Sequence, residues 1–187
     1  MKLPWKDSQH VYGLISRQLH WAMALLFAWQ FFGMFIKVTV GRSPLTAFLV
    51  STHRPIGLLL LGLCLLRVFW ALANAKRRPA YAATLAGRLA RLGHITLYVL
   101  MLLIPALALL RQFGSGKAFS VFGVTITEET GIEIPWMTAP ADLLHGLLAW
   151  GLLAVIAGHV LMVVVHRYRL KDNTLGRMLG PEPLSQR

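Results

Sequence analysis

The chain has 187 residues, 56% of them hydrophobic and 14% charged, with a mean hydropathy of +0.60. A soluble domain carries about 25% charged residues; here the shortfall lies in long apolar runs, which excludes an ordinary soluble protein and points to an integral membrane protein. The formal net charge of +12 does not indicate nucleic acid, because the basic residues flank apolar spans.

The first apolar run covers residues 18–40. It follows Lys2, Lys6 and Arg17. It exceeds a signal-peptide core of about 7–15 residues and has no clear cleavage site after it, so it reads as a span. The second run covers residues 45–73, with Pro55 near its start. The third covers 92–110, with Pro105 near its end, and the fourth covers 141–166. Each supplies the roughly 20 residues a spanning helix needs. Membrane-spanning strands are disfavoured, because lipid leaves open sheet edges unsatisfied. The expected fold is an all-α four-helix membrane bundle, with residues 1–187 as one domain and no room for a second, soluble one.

Orientation follows from Lys and Arg. One side has Lys2, Lys6, Arg17, Lys76, Arg77, Arg78, Arg88, Arg91, Arg167, Arg169, Lys171, Arg177 and Arg187. The other has Lys37, Arg42, Arg54, Arg111 and Lys117. Thirteen against five places both termini in the cytoplasm, and the chain in the cytoplasmic membrane of a cell as a multi-pass protein. The connection at residues 112–140 is long enough to be functional or locally structured. Its alternation over residues 119–127 suggests a hairpin or an interfacial lid. A short interfacial helix is expected between Lys76 and Arg91.

Ionisable side chains inside lipid are costly and usually functional. Four histidines lie in the spans at two depths. His20 and His159 fall near the cytoplasmic face, and His53 and His145 near the outer face. His145 and His159 are fourteen residues apart, a rise of roughly 21 Å with about 40° of rotation, so one helix offers both to one cleft. The third helix offers no ligand and is expected to pack as a wall. Neutral imidazole is a haem ligand, and two facing pairs suit two haems. Zinc fits poorly, because it wants four ligands in one tetrahedron. The sole cysteine, Cys64, and the lack of a Cys-x-x-Cys-His motif exclude covalent attachment.

Gly33, Gly57, Gly146, Gly151 and Gly158 would let a macrocycle approach the backbone or would serve helix packing. Arg54 is a candidate for a propionate at the outer boundary. Arg67, Arg17 and Arg167 are candidates at the inner one, and Arg67 is favoured because an arginine within a span needs a partner. His10 reads as solvated, and His94 opens the third helix. His166 lies seven residues past His159 and shares its face approximately. With Lys76, Arg77 or Arg78 it would offer a quinone a hydrogen-bond donor and a proton source.

Several strings resemble the bacterial cytochrome b561 family, and within it the superoxide oxidase type. They are His20-Trp21, Thr52-His53, Leu92-Gly93-His94, Leu144-His145, Gly158-His159, His166-Arg167-Tyr168 and Lys171-Asp172-Asn173-Thr174-Leu175. The resemblance covers nearly the whole chain. It implies two haems b, held by His20 with His159 and by His53 with His145. It also implies ubiquinone near His166 as acceptor and superoxide as donor. The outer side counts five bases against Glu128, Glu129, Glu133 and Asp142, so no strong net field draws an anion. The rivals are a haem b subunit anchoring a peripheral dehydrogenase and a membrane adaptor without haem.

Overall fold

A computed structural model describes residues 4–121 and 123–179. Lys2, Arg187 and Phe122, which entered the readings above, lie outside them. Four long helices dominate: α1 (Leu14–Val40), α2 (Pro44–Ala73), α3 (Leu85–Gly114) and α4 (Pro135–Val165). All four are long and apolar enough to cross a membrane. Their outward faces expose Phe32, Phe35, Leu59, Phe69, Leu143 and Leu147. A surface this apolar needs lipid around it.

Local chemistry sets the helix ends. Gly41 closes α1 at φ 75°, its N–H donating to the Lys37 carbonyl at 3.1 Å. Ser43 and Thr46 then form a reciprocal capping box, with Pro44 in the first turn of α2, so the chain reverses within three residues. Thr84 caps α3 by accepting from the Gly87 N–H at 3.2 Å. Pro55, Pro105 and Pro140 lie inside helices, as spans tolerate when neighbours re-satisfy the freed carbonyls.

Two of the expected helices extend well beyond their apolar runs. The third helix starts at Leu85 and ends at Gly114 rather than covering 92–110, and the fourth starts at Pro135 rather than 141. Hydropathy marks the hydrocarbon-crossing part only, whereas Arg88, Arg91 and Arg111 extend α3 on both sides of it. The connection before α3 contains a 3₁₀ turn, Ala75–Arg77, and the first turns of α3 itself occupy the place of the expected interfacial helix.

Between α3 and α4, β1 (Phe119–Val121) pairs antiparallel with β2 (Val124–Thr127). This is the expected hairpin. Phe119 is buried beneath it, edge-on to Phe113 at 5.9 Å. Gly116, at φ 67°, accepts from Thr130 and Gly131 and sits against Ile132, which closes the base of the loop.

Close backbone packing joins α1 to α2, α2 to α3 and α3 to α4. Buried clusters form around Met23, Leu60 and Cys64, and around Leu97, Ile104 and Leu152. Beyond α4, the chain makes a π-helical turn, His166–Leu170, and a short α5 (Thr174–Leu179). The Tyr12 N–H donates to the Arg177 carbonyl at 3.1 Å. The N-terminal segment and the tail therefore meet at one end of the bundle, and the β-hairpin caps the other.

Candidate haem and quinone sites

At the terminal end, His20 of α1 faces His159 of α4, with ring centroids 6.4 Å apart and planes at 71°. Towards the hairpin end, His53 of α2 faces His145 of α4 at 6.1 Å and 72°. A metal–nitrogen bond of about 2 Å on each side, with about 1 Å more from each nitrogen to its ring centre, places two axial imidazoles about 6 Å apart. Both separations fit one iron between two rings. Among the described residues, no group of three or more His, Cys, Asp or Glu could hold a bare metal ion.

The remaining ring nitrogens bear on the same fit. His145 Nδ1 lies 3.3 Å from the Ile104 carbonyl of α3. A carbonyl only accepts, so this contact favours a proton on Nδ1 and leaves the Nε2 lone pair for a metal. His53 Nδ1 is buried without a hydrogen-bond partner, which an apolar interior makes costly. Neighbours hold the backbone around His53. Gln30 Nε2 donates to the His53 carbonyl at 2.9 Å, and Trp29 Nε1 donates to Thr52 Oγ1 at 2.9 Å.

The glycines divide by role. A Cβ at Gly33 would lie 3.4 Å from Leu49 Cβ, a helix-packing contact, and one at Gly57 would meet Gln30. On α4, Gly146, Gly151 and Gly158 have nothing within 4 Å of that position, so their backbone is approachable.

His94 of α3 stands closer to the His20–His159 pair than a wall helix implies. Its ring lies 5.2 Å from that of His159, and its Nδ1 contacts the Ala90 carbonyl at 2.7 Å. The separation is short for an iron held between them. Arg67 Nε donates to the Tyr98 hydroxyl at 3.0 Å, so its first partner is Tyr98, while its charge also reaches His20, His94 and His159. Arg17 Nε donates to the Met178 carbonyl at 2.9 Å, and its Nη1 is buried without a hydrogen-bond partner, three residues before His20. Arg54 is exposed beside His53.

The quinone candidates separate. Lys76 and Arg77 are exposed in the 3₁₀ turn. Arg78 Nε instead donates to Asp7 Oδ2 at 2.8 Å, and its guanidinium covers the Tyr12 ring at 5.7 Å. Asp7 has a fully buried side chain and also accepts from the Gly13 N–H and the Ser16 hydroxyl. Trp70 Nε1 donates to the same hydroxyl. Arg78 thus ties the N-terminal segment to the α2–α3 connection. Burial around Tyr12 raises its phenol, so it stays neutral. His166 Nδ1 pairs with Asp172 Oδ2.

Sequence reasoning passed over Asp7, Tyr98 and the close approach of His94. Asp7 did carry a signal, being the only acid before Glu128.

Four apolar helices carrying paired imidazoles define a multi-pass membrane protein for electron transfer. The model of the prokaryotic cytochrome b561 family matches residues 11–181, and the chain belongs to that family. Membership implies haem b as the prosthetic group. Cytochrome b561 homolog 2 of Escherichia coli (strain K12) is 32% identical over 181 residues, spanning 90% of this chain and 91% of that one. The probable superoxide oxidase CybB of Yersinia pestis is 27% identical over 175 residues, spanning 90% of this chain and 95% of that one.

Proposed function

We propose that the chain binds two haems b, one between His20 and His159 and one between His53 and His145. It carries electrons from superoxide to ubiquinone across the cytoplasmic membrane, with both termini in the cytoplasm. The observation that carries this reading is the pair of opposed imidazoles at each of two levels, 6.4 and 6.1 Å apart. Bound there, the haems supply one-electron carriers at two depths of the membrane.

The chain's own residues do the rest. Ile104, through its carbonyl, orients His145. Gln30 and Trp29 brace the turn that carries His53. Arg17 and Arg67 would hold the propionates of a haem at the His20–His159 pair, and Arg54 one at the His53–His145 pair. Lys37 and Arg54, both exposed, would offer an anionic donor positive charge near that level. His166 serves the quinone, with Lys76 and Arg77 as candidate donors; Arg78 contributes by holding the N-terminal segment in place. The net reaction is two superoxide, one quinone and two protons giving two dioxygen and one quinol. The name of the Yersinia relative supports this donor.

A reduced-minus-oxidised optical spectrum with a haem-to-protein ratio near two is the first test. Stopped-flow mixing with superoxide is the second: rapid haem reduction is expected. Slow or absent reduction removes the superoxide claim and leaves the cytochrome. The second reading, an anchor for a peripheral dehydrogenase, draws on the apolar side chains Val124, Ile126, Ile132 and Trp136 exposed around the hairpin. A partner that co-purifies stoichiometrically with the chain favours it.

A further inference from the structure

The tail folds back on His166 in a way that ending a helix does not require. The π-helical turn His166–Leu170 is a rare form that recurs at functional sites. Lys171 then adopts φ 52°, a left-handed conformation that disfavours a residue with a Cβ. This turn brings Asp172 to His166 by two contacts. The Asp172 N–H donates to the His166 carbonyl at 3.2 Å, and Asp172 Oδ2 accepts from His166 Nδ1 at 2.5 Å. The other carboxylate oxygen accepts from the Thr174 N–H at 3.0 Å, which opens α5. Capping α5 therefore uses one oxygen only, and the contact with His166 is additional.

Desolvation acts to raise the Asp172 carboxyl, but hydrogen bonds from Thr174 and His166 outweigh it and hold the group down at about 2. At neutral pH it is a carboxylate and only accepts. A carboxylate at Nδ1 keeps that proton in place, leaves the lone pair on Nε2, and stabilises the positive ring formed when Nε2 takes up a proton. The tail is anchored as well, because Arg17 holds the Met178 carbonyl.

The geometry points to Asp172 as the positioning residue for proton delivery: it fixes His166 so that Nε2 collects a proton from water and passes it to an oxygen of the reduced quinone. This rests on the reading above that places the acceptor at His166. In the step, the Nε2–H bond breaks and an O–H bond forms on the quinone oxygen. The two electrons per quinone are those the proposed reaction supplies, and solvent reprotonates Nε2. Asp172 stays ionised and touches no substrate.

The test uses the full-length, haem-loaded protein, chemically reduced and mixed with a short-chain ubiquinone, alongside nitrogen NMR of histidine-labelled samples. Asp172→Asn is expected to slow quinone reduction about ten-fold, with haem content and optical spectrum unchanged. Asp172→Glu recovers most of the rate. The His166 signals, assigned by their loss in His166→Gln, show the Nδ1–H tautomer in the wild type and a mixture in Asp172→Asn. If Asp172→Asn keeps full speed while His166→Gln is slow, the positioning role is overturned and the acceptor site stands. Full speed in His166→Gln overturns both. A slow Asp172→Asn that retains the Nδ1–H tautomer assigns the carboxylate to folding alone and overturns the inference.

Discussion

Gln30 donates its side-chain amide to the backbone carbonyl of His53 at 2.9 Å, from one helix to the next. Pro55, two residues on, lacks the N–H that would bond the Ser51 carbonyl, so this turn of α2 is short of a backbone bond. Gln30→Leu should cost about 1 kcal/mol while retaining both haems, read as a lowered thermal midpoint in detergent at an unchanged haem ratio.

The two imidazole levels predict a pattern of cofactor loss. His53→Ala and His145→Ala should each lower the haem-to-protein ratio from two to one and remove the same spectral component. His20→Ala and His159→Ala should remove the other component. Loss of one and the same component in His53→Ala and His20→Ala would show that the pairing is wrong.

His94 gives a separate test of which rings bind iron. Its 5.2 Å approach to His159 is about 1 Å short of the spacing that two axial bonds require. His94→Ala should therefore keep both haems, with a changed inner signal in electron paramagnetic resonance. A ratio of one in this variant would make His94 a ligand.

Asp7 predicts stability. Its side chain is fully buried, and Arg78 is 20% exposed at the ion pair. Asp7→Ala leaves that guanidinium, the Gly13 N–H and the Ser16 hydroxyl without their acceptor. The expected loss is about 3 kcal/mol, seen as a lower thermal midpoint and faster proteolysis ahead of α1.

The contact between tail and His166 has a defined pH window. The Asp172 carboxyl is held at about 2, below its ordinary value of 3.8. Its contribution is complete above that ordinary value and fades as pH falls through 2. Hydrogen-exchange protection of α5 should drop in strong acid, as the carboxylate is protonated.

The spans and their four histidines were legible because lipid penalises polarity, so every polar residue kept inside carries information. The pairing by depth needed only helical rise and rotation. The start of α3 was hidden, because Arg88 and Arg91 interrupt the apolar run while the helix continues past them, and with it went the approach of His94. The fate of Arg78 depended on Asp7, seventy-one positions earlier, and no periodicity encodes that meeting. The π turn was equally invisible: a heptad from His159 predicts a shared face, whereas the fold turns His166 towards Asp172.

The order in which the helices neighbour one another bears on how such a molecule is built. Each imidazole pair takes one ring from the first helical hairpin and the other from α4, yet among the described residues the closest backbone packing between these halves is where α2 meets α3. Under the proposed pairing, the prosthetic groups would act as rivets as well as carriers. Insertion of pigment and closure of the helices would then be coupled, and cells starved of iron should accumulate a splayed, protease-sensitive precursor.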